Sequence, residues 1–397
     1  MVNLRLYITM RYPLIACLIL VPLFLPVQAL LSPPGRTAEG QALADTDRNG
    51  AKNIILFMGD GMGWAHLAAA RSFAHGPPGE LHMERLEHSG YVSTFSLHSL
   101  ITDSAAATTA MATGHKTKRG IIGQSERGEE YKTILEIAKD VGKSTGLVTT
   151  TEVTHATPAA FAAHEASRKN SRAIAEDYMH RSQPDVIMGG GAWVWTTVPL
   201  KEARDIGYDV VYTKRELEQL DAAQTTKLLG LFAPSHMSFA MKRRLDEPSL
   251  IEMSLKALEV LSKDPDGFFL MVEGGRIDHA GHNNDKIAVI YETVAFDETV
   301  GAVVEWLETN GLADKTLVIV TADHETGGLA VTGPKNRLPK RGEKVEVRWA
   351  HDYHTAEDVP IWAQGPGAEA VSGHMDNTEV FELMRDALEV APTIERP

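Results

Sequence analysis

Short apolar runs alternate along this chain with longer stretches in which apolar residues recur at helical spacing. The clearest apolar runs are Asn53–Met58, Ser144–Thr149, Gly267–Val272, Thr316–Thr321 and Val359–Ala363. Runs of this length are typical of parallel strands that are buried on both faces of a sheet. The amphipathic stretches between them indicate helices, at Tyr131–Val141, Ser249–Lys263 and Ile287–Thr309. This alternation predicts an α/β fold with a mostly parallel central sheet and helices on both faces.

Residues that can bind metal ions follow four of the predicted strands. In chain order they are Asp60, His155, Thr157, Glu273, Asp278, Asp323 and His324. Ligands in open α/β sheets bind beyond the carboxyl ends of the strands, and these residues all lie at that edge. Because separate segments bring oxygen and imidazole donors to one edge, the sequence predicts a metal site there.

Two turns rich in small residues carry the next candidates. Asp60 lies within Gly59–Gly63, where it either caps a helix or points into the crevice. Ser104 begins a helical run that extends through Met111. It is either a helix cap or a nucleophile in the field of backbone N–H groups. The chain lacks a Gly-x-Ser-x-Gly elbow, which disfavours an α/β-hydrolase, so a metal is the natural activator of this serine.

Spacing also suggests how some of the metal ligands are grouped. Asp278 and His282 are four residues apart, so one helical turn places both on the same face, and this pair suits zinc. Asp323 and His324 are adjacent, and a turn after the strand lets both reach one ion.

The remaining candidates are less distinctive in sequence. The last imidazole is supplied by His354 or by His351, and spacing alone does not decide between them. Thr157 and Pro158 also resemble a helix start, with Thr157 as the N-cap and Pro158 at the first helical position. Arg168 is either a solvated helix residue or a bidentate clamp on phosphate oxygens, and its position alone does not distinguish it from other arginines.

The charge balance restricts the possible partners. The 397 residues carry a formal charge of −14, which argues against non-specific binding to nucleic acid or to an anionic membrane. A metal site can reverse the local field, so small anionic substrates remain compatible with this charge.

The N-terminus has the features of an export signal. Arg5 and Arg11 flank an almost wholly apolar segment, Tyr12–Val27, and small residues at the spacing of a cleavage site follow it. We expect residues 1–29 to be a signal peptide, with a periplasmic or secreted mature protein that has no membrane span. A retained anchor is the alternative. Residues 30–50 are expected to be a flexible linker, 51–392 a single catalytic domain, and 393–397 a tail. Cys17 is the only cysteine, so the mature chain has no disulfide and no thiolate metal site.

Four segments resemble the signature segments of alkaline phosphatases, and they occur in that family's order. They are Gly-Asp-Gly-Met-Gly from residue 59, Thr-Asp-Ser-Ala-Ala-Ala-Thr-Thr-Ala from residue 102, Glu-Gly-Gly-Arg-Ile-Asp-His from residue 273 and Thr-Ala-Asp-His-Glu from residue 321. The resemblance extends from about residue 51 to residue 390. It implies the alkaline phosphatase fold.

The resemblance also implies two zinc ions and a third metal, commonly magnesium. The first zinc would be bound by Asp278, His282 and His354, and the second by Asp60, Asp323 and His324. The third metal would be bound by Asp60, Thr157 and Glu273, with His155 at the position where some bacterial members have an aspartate. His354 is preferred to His351 because Glu-Asp-Val follows it as in the family, and Arg168 is matched through Ala-Ser-Arg-Lys.

The implied activity is hydrolysis of phosphate monoesters at alkaline pH, by two in-line displacements through a phosphoserine at Ser104. Arg168 would hold the phosphoryl oxygens. Two departures from the family are relevant. An imidazole at His155 weakens magnesium binding, because magnesium prefers oxygen ligands. His354 follows His324 by only 30 positions, where many relatives insert a longer surface domain, so we expect a compact enzyme with a more open cleft.

Three alternatives accompany this prediction. A phosphodiesterase or a sulfatase of the same superfamily would share the metal site, although many diesterases use a threonine nucleophile and sulfatases need a modified residue in a different motif. A non-catalytic protein that binds metal or phosphate would keep the fold without turnover. The family is commonly dimeric, so a homodimer is expected from the resemblance, whereas the residues themselves do not indicate an interface.

Overall fold

Strands and helices alternate along the chain, as the apolar pattern predicts. The computed structural model describes residues 50–195 and 200–388, and these residues form twelve strands and twelve α-helices. The strands are β1 Asn53–Met58, β2 His88–Ser93, β3 Ser144–Glu152, β4 Val186–Gly190, β5 Tyr208–Val211, β6 Lys227–Leu231, β7 Phe268–Glu273, β8 Thr316–Thr321, β9 Ala330–Gly333, β10 Glu346–Arg348, β11 Val359–Gln364 and β12 Gly373–Asp376.

The α-helices range from single turns to one helix of 24 residues. They are α1 Trp64–Ala74, α2 Ser104–Thr113, α3 Ile134–Asp140, α4 Ala156–Ala162, α5 Ser171–Asp177, α6 Ala192–Trp195, α7 Leu200–Asp205, α8 Lys214–Gln219, α9 Leu250–Leu261, α10 Arg276–His282, α11 Lys286–Thr309 and α12 Glu379–Ala387. Short 3₁₀ segments and one π-helical turn complete the set, at Met83–Arg85, Tyr178–Ser182, Ala240–Lys242, Ala313–Lys315 and Ala368–Ala370.

Ten strands form one sheet in the order β12-β2-β11-β8-β1-β7-β3-β4-β6-β5. Neighbouring strands pair in parallel except at β11, which is antiparallel to both β8 and β2. The prediction that Val359–Ala363 forms a parallel strand is therefore wrong in direction, although the strand itself is present. A continuous apolar run indicates burial on both faces, and it does not distinguish the two strand directions.

Helices cover both faces of this sheet, as predicted. Phe57 on β1 is level with Val272 on β7, so Phe57 and Phe269 project from opposite faces. The Phe57 ring contacts Phe296 of α11 at a centroid distance of 6.1 Å, and the Phe269 ring contacts Phe161 of α4 at 5.9 Å. Two helical layers therefore enclose the central strands, whose residues are almost all fully buried.

The predicted helices are present, and local capping sets some of their ends. At the start of α9, Ser249 Oγ accepts a hydrogen bond from the Glu252 amide, and Glu252 Oε2 accepts one from the Ser249 amide. This reciprocal pair satisfies N–H groups that no helical turn can reach. The predicted signal peptide and tail lie outside the described residues, as does the linker except for its last residue. Within the described residues, no helix is long and apolar enough to cross a bilayer.

Candidate active site

The carboxyl ends of three adjacent strands bring three carboxylates together. Met58 at the end of β1 pairs with both Glu273 on β7 and Thr321 on β8, so these strand ends are level. Asp60 and Asp323 each lie two residues beyond Met58 and Thr321, and the side chains of Asp60, Glu273 and Asp323 are fully buried. The sheet topology thus produces the convergence of acidic residues that the sequence predicts at this edge.

Asp60 is buried, and within residues 50–195 and 200–388 neither of its carboxylate oxygens receives a hydrogen bond. It does not cap a helix, since Gly63 is the N-cap of α1. Gly61, at φ 76°, has no room for a side chain, because a Cβ there would lie 2.7 Å from Thr326 Oγ1 and 2.8 Å from the Asp278 Cα. Burial, together with neighbouring carboxylates, raises the pKa of Asp60 well above its ordinary value. A buried carboxylate in this position needs a cation to be stable in its charged form.

Ser104 is the first residue of α2, and its hydroxyl faces the cluster. The cap of this helix is Asp103, whose Oδ1 accepts a hydrogen bond from the Ala106 amide at 3.1 Å. The capping role is therefore filled by Asp103, which leaves Ser104 Oγ available for chemistry. That oxygen lies 3.3 Å from Nε2 of His324, and the serine is only 2% exposed.

His324 presents a lone pair to this serine and to two carboxylates. Thr326 Oγ1 donates its proton to Asp278 Oδ1 at 2.6 Å. The same oxygen can therefore only accept a hydrogen bond from the N–H of His324 Nδ1, which lies 3.3 Å away. Neutral His324 then has its lone pair on Nε2, which lies 3.2 Å from Asp323 Oδ2 and 3.6 Å from Asp60 Oδ1. Burial lowers the pKa of His324 well below its ordinary value, which favours this neutral form.

The imidazoles of His282 and His354 face each other with their Nε2 atoms 3.1 Å apart. Each Nδ1 donates to a backbone carbonyl, from His282 to Asp352 at 2.7 Å and from His354 to Thr102 at 2.9 Å. A carbonyl oxygen only accepts, so a neutral ring has its lone pair on Nε2. Oδ1 of Asp278 is 3.3 Å from His282 Nε2 and 3.5 Å from His354 Nε2. Lone pairs and a carboxylate oxygen in such proximity are the arrangement in which proteins bind zinc.

A third group of donors lies around Glu273. Oε2 of Glu273 accepts hydrogen bonds from Thr149 and Thr151, whereas its Oε1 and the buried Thr157 hydroxyl have no hydrogen-bond partner among the described residues. Donor atoms of Asp60, His155 and Glu273 lie within 4.8 Å of one another. Burial raises the pKa of Glu273 to about 7.

The helix that carries Thr157 starts earlier than predicted. α4 begins at Ala156, with His155 as the N-cap, so the predicted start with Thr157 as N-cap and Pro158 at the first position is wrong. Pro158 is instead the third helical residue. The missing N–H of a proline costs nothing in the first turn, because no helical carbonyl is available there to accept from it.

Arg168 connects the serine segment with the third group. Its Nη1 donates to Asp103 Oδ2 at 3.2 Å, and its Nη2 lies 3.1 Å from Nε2 of His155. The segment is fixed by the Arg168 amide, which donates to the Gly120 carbonyl at 2.7 Å. The guanidinium therefore lies beside Asp103, the residue that precedes Ser104. Within the described part of the chain, its positive charge lies close to the buried carboxylate of Asp60 and partly offsets the rise that burial causes in the pKa of that group.

The negative charge of the carboxylates at the site exceeds the positive charge of Arg168. Four carboxylates are buried together, from Asp60, Glu273, Asp278 and Asp323. Burial and the charge of Asp278 raise the pKa of Asp323 to about 6. Burial also acts against ionisation of Asp278, but the neighbouring His354 and other imidazoles hold its pKa well below the ordinary value. Bound cations would stabilise these carboxylates in their charged form.

All eleven predicted site residues lie at this edge, where their donor atoms form compact sets. One set is Asp278, His282 and His354. A second compact set joins His324 and Asp60 to Asp278, while Asp323 contacts the same His324 Nε2. His351, the alternative to His354, is exposed and accepts a hydrogen bond from the Tyr353 amide.

Three residues close to the site were not predicted from the sequence. Thr326 joins Asp278 to His324, and its only signal in the sequence is its position two residues after a candidate ligand. His236 and His279 lie against His155, with ring centroids 5.5 and 5.6 Å away. Burial lowers the pKa of His279 to about 3, so this ring is neutral.

Comparisons with known proteins identify the family of this chain. The family model for alkaline phosphatase matches residues 51–345 and 334–390. Alkaline phosphatase 3 of Bacillus subtilis (strain 168) is 32% identical over 89% of this chain and 92% of that protein. Alkaline phosphatase of Escherichia coli (strain K12) is 33% identical over 85% of this chain and 86% of that protein.

Solved structures show the same fold. The cold-active alkaline phosphatase of Shewanella sp. superimposes with a TM-score of 0.77 at 31% identity, over 85% of this chain and 99% of that one. The Thermus thermophilus enzyme gives a TM-score of 0.78 at 30% identity, over 86% and 92%. The chain therefore belongs to the alkaline phosphatase family and is a phosphoric monoester hydrolase of that family.

Proposed function

We propose that this enzyme hydrolyses phosphate monoesters to an alcohol and inorganic phosphate through a phosphoserine at Ser104. The observation that carries the proposal is the position of Ser104 Oγ, 3.3 Å from His324 Nε2, at the edge of a cluster of carboxylate and imidazole groups that could bind metal ions. An oxygen nucleophile without a histidine–aspartate triad needs such a cluster for activation.

The donors suit two zinc ions and a third metal. Asp278, His282 and His354 offer one carboxylate and two Nε2 lone pairs, and Asp60, Asp323 and His324 offer the second set. Zinc bound at these sites supplies Lewis-acid chemistry, which lowers the pKa of a hydroxyl or a water and stabilises a leaving oxygen.

The third metal is proposed to be magnesium, bound by Asp60, Thr157 and Glu273. The buried Glu273 Oε1 and Thr157 Oγ1 are hard oxygen donors of the kind that magnesium prefers. His155, whose donor atom is part of this group, is an imidazole where a carboxylate would fit magnesium better. Variants of the TAB5 alkaline phosphatase with Asp or Glu in place of a histidine have been solved with magnesium in the M3 site.

Two displacements complete the reaction. In the first, Ser104 Oγ loses its proton to solvent and forms a bond to phosphorus while the bond from phosphorus to the alcohol oxygen breaks, and that oxygen takes up a proton from solvent to leave as the alcohol. In the second, a water loses a proton to solvent and attacks the same phosphorus, the bond to Ser104 Oγ breaks to release phosphate, and Ser104 regains a proton from solvent. Both attacking oxygens react after deprotonation, so the rate is expected to rise toward alkaline pH.

Arg168 is proposed to bind the phosphoryl oxygens in both steps. Its planar fork matches two non-bridging oxygens and offsets the charge of the transferring group. Asp103 holds the guanidinium beside Ser104, through the contact of 3.2 Å to Nη1. The arginine therefore needs little reorganisation when the phosphate enters.

Hydrolysis of p-nitrophenyl phosphate tests the proposal directly. We expect activity at alkaline pH that is lost with a chelator, restored by zinc and increased further by magnesium. Ser104→Ala should lose the covalent phosphoenzyme while keeping its bound metal, as measured by elemental analysis. Full activity in that variant would refute the phosphoserine mechanism.

The same assay separates the alternatives. Faster hydrolysis of bis(p-nitrophenyl) phosphate would indicate a diesterase, and faster hydrolysis of p-nitrophenyl sulfate would indicate a sulfatase. Phosphate binding without turnover by the metal-loaded protein would indicate a binding protein. If the wild-type enzyme cleaves the phosphate monoester at least tenfold faster than the diester and the sulfate ester, the diesterase, the sulfatase and the non-catalytic binding protein are all excluded.

Export and assembly are also part of the proposal. Residues 1–29 are proposed to direct the chain to the periplasm or the medium, where residues 51–392 act as one catalytic domain. N-terminal sequencing of the exported protein would establish whether cleavage follows Ala29. A homodimer is expected from the family, and light scattering of the purified enzyme measures it.

A further inference from the structure

A groove of about 470 Å³ opens beside the candidate active site. It shares Asp103 and Arg168 with the site, so it begins next to the nucleophile segment. Its other charged walls are Lys118, Arg119 and Lys169. Four cations and one carboxylate therefore line a single groove in a chain whose formal charge is −14.

The single carboxylate of the groove, Asp103, already accepts hydrogen bonds from other groups. Asp103 accepts hydrogen bonds from the Ala106 and Gly120 amides and from Arg168 Nη1. Lys118 and Lys169, by contrast, are exposed, and neither has an ion-pair partner within the described part of the chain. The groove therefore has uncompensated positive charge on the lysines.

One acidic residue close to the groove, Glu126, is paired with a histidine of the groove wall. Glu126 Oε2 lies 3.0 Å from Nε2 of His98, a residue that lines the groove, and both side chains are largely exposed. Glu126 is therefore paired with His98 and not with Lys118 or Lys169.

Arg119 extends from the groove toward the first zinc group. Its guanidinium lies over the Tyr353 ring at 5.5 Å and donates a hydrogen bond to the Tyr353 hydroxyl. The Tyr353 ring stacks on His354 with centroids 4.6 Å apart. Arg119, a residue of the groove wall, therefore connects the groove through Tyr353 with His354, one of the proposed ligands of the first zinc.

We propose that this groove binds a second anionic group on the alcohol portion of the substrate, so that the preferred substrates are small phosphomonoesters whose leaving group carries a further phosphate. The inference rests on the proposed function, because it places the scissile phosphate between Ser104 and Arg168. Lys118 and Lys169 then pair with the second phosphate. The strongly acidic chain repels large polyanions, and the volume of the groove limits the ligand to a small molecule.

A matched pair of substrates tests the preference. Butane-1,4-diol monophosphate and bisphosphate differ only in the second phosphate, and released phosphate gives kcat/KM for each. In the wild type, we expect the bisphosphate to be favoured about tenfold after correction for its two equivalent ends, because each exposed ion pair contributes a few-fold. The preference should fall as salt is raised from 0.05 to 0.5 M, since exposed charges are screened.

Two double variants separate the groove from overall charge. Lys118→Gln with Lys169→Gln should reduce the bisphosphate preference about tenfold. Lys335→Gln with Lys340→Gln removes the same charge from exposed lysines elsewhere, and it should retain the preference. A ratio that is unchanged in the first variant, or equally reduced in the second, would overturn the inference.

Binding of non-hydrolysable analogues distinguishes failure of this inference from failure of the proposed function. Calorimetry with the zinc-loaded enzyme compares butylphosphonate with butane-1,4-bisphosphonate. If neither phosphate ester is cleaved but the bisphosphonate binds about tenfold more tightly in a Lys118- and Lys169-dependent manner, the groove stands and the proposed function fails. If both esters are cleaved and the two phosphonates bind equally, the function stands and the groove inference fails.

Discussion

Thr326 offers a test of how the metal site is organised, because it contacts two proposed ligands without being one. It is fully buried, its Oγ1 donates to Asp278 Oδ1 at 2.6 Å, and it lies 3.3 Å from His324 Nδ1. Thr326→Val keeps the shape and the β-branch but removes this hydroxyl. Asp278 then loses the donor that orients it, and the His324 Nδ1 proton loses its acceptor.

The expected effect follows from the value of such contacts. A hydrogen bond to a charged group contributes about 1.5–3 kcal/mol. Loss of a group that orients metal ligands typically lowers metal affinity about 10- to 100-fold, equivalent to about 1.4–2.7 kcal/mol. We therefore expect the apparent zinc affinity of Thr326→Val to fall within this range.

Competition with a fluorescent zinc chelator measures that affinity, and p-nitrophenyl phosphate turnover at increasing zinc gives the same comparison through activity. Thr293→Val is the matched control, because Thr293 is equally buried and its hydroxyl donates to the Val289 carbonyl within α11. It makes the same chemical change away from the site. Thr326→Ser retains the hydroxyl and should recover most of the affinity.

Two results would refute this reasoning. If Thr326→Val is folded by near-ultraviolet circular dichroism and binds zinc as tightly as the wild type, the hydroxyl does not organise the ligands. If Thr293→Val loses as much zinc affinity, the effect arises from lost stability and not from the contact to Asp278.

Three further predictions concern other parts of the molecule. His155→Asp replaces an imidazole beside the third site with a hard oxygen donor, so the magnesium concentration for half-maximal activation should fall roughly tenfold, and an unchanged magnesium response would contradict it. Arg168→Lys loses the two-pronged grip on phosphate, so kcat/KM should fall about 10- to 100-fold and the inhibition constant of inorganic phosphate should rise in parallel, whereas unaltered phosphate inhibition would contradict the assignment. Burial raises the pKa of Glu292 from 4.5 to about 7, so the native state retains a proton that the unfolded state has lost, and stability falls as the pH rises from 4.5 through 7. Glu292→Gln should therefore stabilise the protein by up to about 3 kcal/mol at pH 8 and much less at pH 5 in urea unfolding, and an equal effect at both pH values would contradict the shift.

Much of the fold was accessible from the apolar pattern because strands buried on both faces have few polar positions. β1 and β8 match their predicted bounds, and β7 differs by one residue at each end. The peripheral strands were harder to predict. β2 mixes exposed, partly buried and buried residues, and β12 has only four residues, so neither forms an apolar run.

The candidate ligands were predictable for a related reason. Polar residues directly after a buried strand are confined to one edge by the topology, so Asp60 and Asp323 could be placed together without knowledge of the contacts. Arg168 could not be placed in this way, because it follows α4 in an irregular segment whose path depends on the Gly120 carbonyl. Family resemblance, and not spacing, identified it.

Residues that orient the metal ligands are harder to predict from the sequence than the ligands themselves. A ligand must carry a particular donor atom, so its residue type and position restrict the possibilities. Thr326 needs only a hydroxyl at the point where Asp278 and His324 meet, and these residues lie 48 and 2 positions away from it. Thr293 has the same residue type and burial, but its hydroxyl donates to a carbonyl of its own helix. The difference between the two threonines arises from the tertiary contacts, and the paired Thr326→Val and Thr293→Val variants measure its consequence for zinc binding.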